Sequence, residues 1–312
     1  MSNPLSRHYT KIYILSALLA LTLIAAIALG TIWLLSPNEY ATETDPPYRT
    51  TTPSDDNTQP PSQPTHTYED VVSANTNRGS LILINSDRHF DPAAAQNVVS
   101  IGQSAGIDVS HSNHNVNSNL ASALIALGAE MLSEFPAGRT LEIIQSFTGR
   151  YFANHDNERT SGLTVGTRFW DAATRGQFVL SEPAVSEQYQ WILANAHRFG
   201  IVQRYPQAHA AITGMDIYLP GHFRYVGIPH ATFMHNNNMV LEQYLYLLET
   251  THDFHNRLNV TLDGQRWQVY FVPVQAGQTT PVPIPYGASN YVISGNNGGR
   301  TQTGFVVTIR VN

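Results

Sequence analysis

The stretch of sequence that decides the fold lies in two blocks, WILANAHRFGIVQRYPQAHAAITG over residues 191–214 and PGHFRYVGIPHATFM over residues 220–234. The first block continues an apolar stripe that predicts a helix over residues 186–199, with Ser186 as its N-cap and Gly200 as its stop. The second block contains HFRYVG, which we interpret as a strand. A helix followed closely by a strand indicates a mixed α and β architecture.

Outward from these blocks, apolar spacing predicts two further helices and two strands. A helix is predicted over residues 117–135, with Ser118 or Asn119 as its cap, and another over residues 238–250. Strand-like runs lie at residues 80–84 (SLILI) and 141–144. The apolar stripes are typical of a packed core and not of a cofactor site.

After Asn256 the apolar pattern changes to the alternation that is typical of strands. LNVTLDGQRWQVYFVPV forms two alternating runs around a turn at Asp263 and Gly264, and YVISGNN with TGFVVTIRV predicts a second pair. We therefore predict a small C-terminal β module over residues 257–312. Such a module either covers a sheet edge or binds a wall polymer, and the sequence leaves both open.

The N-terminal part of the chain predicts a membrane anchor and a linker. Residues 12–35 carry no charge and would cross a bilayer as a helix, and the cations before them place residues 1–11 in the cytoplasm and the later residues outside. A cleaved signal peptide is the alternative, although the apolar region is long and lacks a small-residue cleavage site. Residues 36–66 hold seven of the eighteen prolines and almost nothing apolar, which indicates a disordered linker.

Composition excludes several functional classes. The chain of 312 residues has no cysteine, which rules out disulfides, thiolate metal sites and a cysteine nucleophile. The formal charge of −6 and a single lysine, Lys11, argue against nucleic acid as a partner, because nucleic-acid affinity rests on neutralising phosphates.

The two blocks closely resemble the bacterial D-alanyl-D-alanine carboxypeptidases of the VanY type, which are zinc peptidases that trim the stem peptide of peptidoglycan. The sequences RYP at residues 204–206 and HFRYVG at residues 222–227 stand in the family's order. The resemblance implies an α+β fold, a carboxypeptidase-like core with a central antiparallel sheet and packed helices, over residues 67–256. One transmembrane helix precedes this core and the small β module follows it.

The resemblance also implies three zinc ligands, and two of them are replaced here. The family's His-x-x-Gly-x-x-x-Asp motif matches RTSGLTVG, which puts Arg159 at the histidine and Gly166 at the aspartate. Arginine stays protonated and glycine has no side chain, so neither binds zinc. Only His222 keeps its ligand position.

The family's catalytic groups are replaced as well. Its Glu-Pro-Trp-His reads LPGH here, with Leu219 at the general base and Gly221 at the tryptophan. The oxyanion arginine corresponds to Thr148, although Arg150 lies two residues further on. We therefore predict no catalytic residue and no cofactor.

The function that these replacements imply is binding without hydrolysis. We predict that Arg159 and Arg224 form a cationic pocket for the carboxylate of a stem peptide, and that the partner is peptidoglycan or a cell-wall protein. Simple loss of function, with Arg159 as a solvated charge, is the alternative for this pocket. An active zinc carboxypeptidase with relocated ligands, drawn from His155, Asp156 and Asp216, is the second hypothesis, and a wall spacer without a ligand is the third.

Overall fold

The computed structural model describes residues 65–85, 88–149, 155–182, 185–213, 219–298 and 302–311, with the backbone alone at residues 155–157. The predicted span over residues 12–35 and the predicted linker up to residue 64 lie outside these ranges. Within them, no helix has both the length and the apolar character that crossing a bilayer requires.

The described residues form strands, helices and short 3₁₀ turns. The strands are β1 (His66–Val72), β2 (Val98–Ser100), β3 (Ile107–Val109), β4 (Asn115–Asn117), β5 (Thr140–Gln145), β6 (Thr164–Asp171), β7 (Gly176–Phe178), β8 (Ile201–Gln203), β9 (His222–Tyr225), β10 (Leu258–Leu262), β11 (Gln265–Pro273), β12 (Thr279–Pro285), β13 (Tyr291–Asn296) and β14 (Gly304–Val311). The helices are α1 (Ser118–Glu134), α2 (Ser186–Asn195), α3 (Ala210–Thr213), α4 (Ile228–Asn236) and α5 (Leu241–Thr251).

The central sheet has the strand order β3-β5-β6-β9-β8, and β7 pairs with β6. Its pairs are antiparallel except β3 and β5, which run parallel because α1 carries the chain back across the sheet. Apolar residues of α1 and α2 pack on this sheet in one cluster that includes Leu124, Ile192 and Phe169. The predicted α+β class with a mostly antiparallel central sheet is confirmed.

The predicted helices are confirmed, with differences at their ends. Asn117 caps α1 through its side chain, which accepts from the backbone N–H of Asn119, one residue before the predicted caps. Helix α2 begins after Val185 without a side-chain cap, so the cap predicted at Ser186 is wrong. Its last turn, Ala196–Phe199, tightens to 3₁₀ before Gly200 ends it.

The strand predicted at residues 80–84 is absent. Leu81 to Ile84 are almost fully buried, but their backbone groups bond to side chains instead of to a neighbouring strand. Ser294 Oγ accepts from Leu81 N–H, and the Asn297 amide both accepts from Leu83 N–H and donates to Leu83 C=O. A buried apolar run therefore needs no sheet when side chains satisfy its peptide groups.

Both C-terminal strand pairs are confirmed in a four-stranded sheet of order β10-β11-β14-β13. One face packs on α4 and α5, where Leu245 and Val269 share an apolar cluster. The opposite face covers a second sheet, in which β1 pairs along its whole length with β12. Strand β1, which precedes the domain boundary predicted at residue 256, thus pairs with β12, which follows it.

Candidate functional site

The centre of the candidate site is a row of three residues across three neighbouring strands. In the pairing of β6 with β9, Gly166 lies directly opposite His222, and Gln145 of β5 lies opposite Gly166 on its other side. The two positions that the motifs assign to the second and third zinc ligands therefore meet in space. The tertiary structure is consistent with the motif alignment at this point.

The place of the missing aspartate is filled. A Cβ atom built on Gly166 would lie 2.5 Å from Gln145 Oε1 and 3.0 Å from Gln145 Cβ. The Gln145 side chain thus occupies the space into which a residue 166 side chain would project. An aspartate at this position would require the glutamine to move.

Arg159 stands near the end of the 3₁₀ turn His155–Ser161, just before β6. The turn closes with a bond from Gly162 N–H to Arg159 C=O of 3.1 Å. The Arg159 residue is 8% exposed, so its charge is largely enclosed by protein. A guanidinium group therefore occupies the position that the family motif gives to a neutral imidazole.

A buried ion network adjoins this position, and its centre, Glu158, is not among the residues predicted from the sequence. Glu158 Oε1 accepts from Arg204 Nε at 2.9 Å and from Arg224 Nη1 at 2.7 Å. Arg204 also binds both carboxylate oxygens of Glu242, at 2.8 and 2.7 Å. Glu158 and Arg224 have no exposed side-chain surface, and Arg204 has 1%. The network links the 3₁₀ turn, β9 and α5 in one cluster of charges.

The charges in this network stabilise one another. Burial alone would raise the pKa of Glu158, but the guanidinium groups of Arg204 and Arg224, with a smaller contribution from His222, hold it below its ordinary value. Burial opposes the charge of Arg204 too, yet Glu158 and Glu242 raise the pKa of that guanidinium well above its ordinary value. Glu158 is therefore ionised at neutral pH, and the contribution of His222 to its lowered pKa places Glu158 near the candidate site.

Arg224, predicted from the sequence to bind ligand, serves the network instead. Its Nη2 donates to the carbonyl oxygens of Ser80 and Ile82, at 3.2 and 2.5 Å, while Nη1 donates to Glu158. A fully buried guanidinium cannot contact a ligand that enters from solvent. The geometry corrects the expectation that Arg224 binds ligand, and it explains how the buried run that includes Ser80 and Ile82 is held.

The residues before His222 have been rebuilt relative to the family's Glu-Pro-Trp-His. A Cβ atom on Gly221 would lie 2.0 Å from the carbonyl oxygen of Thr167, so no tryptophan fits this backbone. Gly221 C=O instead accepts from Thr167 N–H at 2.8 Å and from Thr167 Oγ1 at 2.9 Å. Leu219 C=O accepts from His222 N–H at 3.1 Å, so the residue that the motif aligns with the general base lies one turn before His222.

The side chains that the structure describes do not fit a catalytic zinc ion. In the described part of the chain, no three His, Asp or Glu side chains come together in a group that could hold a metal. Of the ligand positions, only His222 carries a donor, and it is buried with its ring 5.9 Å from that of Tyr205. The side chains of His155 and Asp156, and all of Asp216, lie outside the described part, so the relocated-ligand hypothesis stays a prediction.

The oxyanion position has no arginine in the described structure. Thr148, which the motif aligns with that arginine, is partly buried in the loop after β5. Arg150, the other candidate, lies outside the described residues.

The sequence ERTSG at residues 158–162 contains the signal that could have revealed Glu158, because it places an acid directly before the altered ligand position.

Part of this chain is similar in sequence to known D-alanyl-D-alanine carboxypeptidases. No protein-family model matches the chain. A D-alanyl-D-alanine carboxypeptidase of Enterococcus faecium is 36% identical over 121 residues, which cover 38% of this chain and 36% of the relative. Another of Enterococcus faecalis is 43% identical over 60 residues, or 19% of this chain and 22% of the relative. The chain thus spans about a third or less of the lengths of these relatives.

A solved structure supports the fold. The vancomycin-resistance D,D-dipeptidase VanXYg, in complex with a D-Ala-D-Ala phosphinate analogue, superposes with a TM-score of 0.61 at 21% sequence identity. The match covers 79% of this chain and 99% of that one. The resemblance that the motifs indicated is therefore confirmed: the chain is similar in sequence to D-alanyl-D-alanine carboxypeptidases over part of its length, and it has the α+β fold of the VanXYg dipeptidase.

Proposed function

We propose that this protein is a carboxypeptidase-like binding module that has lost hydrolysis and that recognises a peptidoglycan stem peptide or a cell-wall partner. The observation that carries the proposal is the cross-strand pair of Gly166 and His222. Two positions that would share a zinc ion lie together, and one of them has no side chain.

Magnitudes favour the loss of metal-dependent chemistry. A structural zinc site with four ligands binds with about 10–16 kcal/mol, so the loss of two of three protein ligands removes most of that affinity. The absence of a general base, with Leu219 in its place, forfeits a further ~10²–10⁴ in rate. Either loss alone would impair hydrolysis severely.

A binding role has support from the charge at the altered position. Arg159 stands in the 3₁₀ turn that precedes β6, the strand on which Gly166 lies opposite His222. A guanidinium fork binds a carboxylate through two parallel hydrogen bonds and needs no cofactor. We propose that Arg159, which keeps 8% of its surface exposed, holds a carboxylate of the stem peptide, a task that Arg224 cannot share because it has no exposed side-chain surface.

The test of lost hydrolysis uses the full chain, purified in detergent and incubated with zinc. We expect substoichiometric zinc after dialysis, measured by elemental analysis, and no release of D-alanine from a pentapeptide that ends in D-Ala-D-Ala. Stoichiometric zinc together with turnover would refute the proposal and establish the enzyme.

The test of binding is calorimetry with the same pentapeptide. Arg159→Gln should weaken binding by roughly tenfold to a hundredfold, since a hydrogen bond to a charged group contributes about 1.5–3 kcal/mol. Arg159→Lys is the matched control that keeps the charge and loses the fork. Its affinity for the pentapeptide should lie between those of the unmodified chain and of Arg159→Gln. Unchanged binding in Arg159→Gln would show that this side chain has no part in recognition.

We propose in addition that the module stands outside the cell membrane, with residues 12–35 as a single-pass anchor and residues 36–66 as the linker. The charge distribution around the apolar run supports this orientation. Cysteine-accessibility labelling of intact cells, with single cysteines placed at residue 3 and at residue 50, tests it. Labelling of residue 3 but not of residue 50 would reverse the orientation.

The alternative function is an active zinc D-alanyl-D-alanine carboxypeptidase. The names of the two enterococcal relatives favour it. It would require ligands from outside the described side chains, such as His155, Asp156 and Asp216. A spacer without ligand specificity remains the third possibility, and it predicts neither zinc, turnover nor peptide binding.

A further inference from the structure

The edge strand β13 carries backbone groups that point away from its sheet. Outside the ladder of β13 and β14, Arg310 N–H donates to Asn290 C=O at 2.9 Å. In an antiparallel pair, alternate residues bond to the partner strand. The backbone N–H and C=O groups of Val292 and Ser294 therefore point towards β14, as those of Asn290 do. The N–H and C=O groups of Tyr291 and Ile293 consequently point outward from the edge.

The chain itself covers only one end of this edge. Arg78 C=O accepts from Gly295 N–H at 2.6 Å, and Ser294 Oγ accepts from Leu81 N–H. Among the described residues, no hydrogen bond from outside the sheet reaches the backbone of Tyr291 or Ile293. Unpaired edge groups of this kind are a template for another extended chain.

A groove runs beside the open part of the edge. Two adjoining cavities of about 190 and 300 Å³ lie along β13 and share several lining residues, among them Tyr225, Val292 and Ser294. The Val292 side chain is 64% exposed, although it is apolar and sits within a strand. The larger cavity is also lined by Trp267, so the groove offers apolar surface next to free peptide groups.

The charge in the groove lies at one end. Arg310 lines the larger cavity, and no carboxylate lines either cavity. In the described part of the chain, Arg310 Nη2 donates to Gln265 Oε1 of β11, and no acidic group lies within ion-pair distance of the guanidinium. The lining residue His230 is fully buried between Tyr244 and Thr308, and burial lowers its pKa to about 3, so it is neutral near pH 7. The larger cavity therefore has one positive charge, beside the start of β13.

These observations fix both the ligand class and its direction. Antiparallel pairing is the more stable arrangement, and it places the C-terminus of an added strand beside the N-terminal end of β13. That end is where Arg310 pairs with Asn290. We propose that the edge of β13 binds an extended peptide as an additional antiparallel strand, with the peptide's C-terminal carboxylate at Arg310.

This groove is separate from the site proposed for the stem peptide. Neither Arg159 nor His222 lines either cavity. The inference therefore does not depend on the proposed function, and each can fail while the other holds. Addition of a strand supplies backbone hydrogen bonds for affinity, and the cavity and Arg310 supply selectivity.

The first experiment asks whether the full chain binds such peptides. A random library of acetylated pentapeptides with free C-terminal carboxylates is selected on the immobilised full chain, and the tightest binder is resynthesised with a carboxylate and with an amide end. We expect the amide to bind about tenfold more weakly, because it cannot pair with Arg310. Equal affinities, or no selected peptide, would overturn the proposal.

The second experiment removes one outward N–H from the edge. Ile293→Pro deletes an N–H that faces away from β14, a position that proline tolerates on edge strands. Ile293→Val is the matched control that keeps this N–H. We expect the proline variant to lose peptide binding and the valine variant to keep it, with hydrogen exchange at Tyr291 and Ile293 slowed by the peptide only in the valine variant. Binding retained by a folded proline variant would contradict strand addition.

The third experiment separates peptide from saccharide and from the Arg159 site. Arg310→Gln should abolish the difference between the carboxylate and amide peptides, Arg310→Lys should preserve part of it, and Arg159→Gln should leave it unchanged. Binding of chitotetraose in the groove, with neither peptide form bound, would assign the groove to sugars and overturn the proposal. Loss of peptide binding in Arg159→Gln would show that the peptide binds at the Arg159 site, and it would likewise overturn the proposal.

Discussion

Two neighbouring regions on strand β9 differ in what they have kept. His222 lies opposite Gly166 in the row of Gln145, Gly166 and His222, and neither Gly166 nor Arg159, which the motif aligns with zinc ligands, can bind a metal. Arg224, two residues further along the strand, is held by Glu158 and by two backbone carbonyl groups. The positions that the motif aligns with metal ligands hold other residues, whereas the charged groups of the adjoining network are paired with one another.

The difference has a thermodynamic reason. Removal of one partner from a buried ion pair leaves an uncompensated charge and typically costs about 3–5 kcal/mol, a large part of a domain's stability. A metal ligand on the wall of a site can be replaced at little cost once the metal is no longer needed. From this comparison we expect the fold to depend on the charges of its network more than on the residues at the motif's ligand positions.

The strongest way to break the comparison is to rebuild the site. Arg159→His combined with Gly166→Asp restores two donors next to His222, and Gln145→Ala makes room for the aspartate. We expect zinc affinity to rise by about 10³-fold or more, because coordination by several ligands accounts for most of the binding free energy. Competition with a zinc-binding dye measures it, and Arg159→His alone is the control. An unmodified chain that binds zinc as tightly would invalidate the comparison.

The network should be far more sensitive than an ordinary surface ion pair. Glu158→Gln leaves two buried guanidinium groups without their carboxylate, and we expect a loss of about 3–5 kcal/mol in the free energy of unfolding. Glu130→Gln, which breaks a half-exposed pair with Arg198, is the matched control and should cost at most about 1 kcal/mol. Urea denaturation gives both values. Similar losses in the two variants would mean that the network is not a structural requirement.

Acid should destabilise the protein through histidines that are buried in neutral form. Burial lowers the pKa of His230 to about 3, and burial with the nearby His235 and Arg198 lowers that of His197 to about 4. Below pH 6.5, the ordinary pKa of histidine, these side chains take up protons in the unfolded chain but stay neutral in the folded one. Stability therefore falls as the pH decreases from 6.5 towards 4. At roughly 1.4 kcal/mol for each pKa unit, the loss reaches a few kcal/mol.

Denaturation curves at pH 7, 6, 5 and 4 test this dependence. His230→Gln should flatten the fall in stability more than His197→Gln, since the His197 ring is only partly buried. A flat profile in the unmodified chain, or no change of slope in either variant, would show that these histidines are accessible to protons when folded.

The smallest expected effects are the losses of stability on replacing two glycines of the candidate site with alanine. Gly221→Ala drives a Cβ against the backbone oxygen of Thr167 and should cost about 1–3 kcal/mol. Gly166→Ala meets chiefly the flexible Gln145 side chain and should cost less than about 1 kcal/mol, since that side chain can rotate away. Thermal unfolding of the two variants decides the order. A reversed order would mean that the aspartate position is the more rigid one.

Local pattern predicted much of the fold. The stripes of α1, α2 and α5 and the turn at Asp263 and Gly264 were readable because helix and hairpin signals lie within a few residues. The run at residues 80–84 was misread as a strand, since burial and apolar character do not reveal whether the backbone pairs with a strand or with side chains. The pairing of β1 with β12 joins segments more than 200 residues apart and has no local signal.

For the site, the sequence by itself determined which chemistry is missing, because the identity of a residue settles whether it can donate an electron pair to a metal. Arg159, Gly166 and Leu219 carry that information without any coordinates. Only the tertiary structure decided that Glu158 is the shared partner of Arg204 and Arg224, and that the edge of β13 is open. Burial and long-range pairing set the energy of a charge or a peptide group, and both arise only when distant segments are packed together.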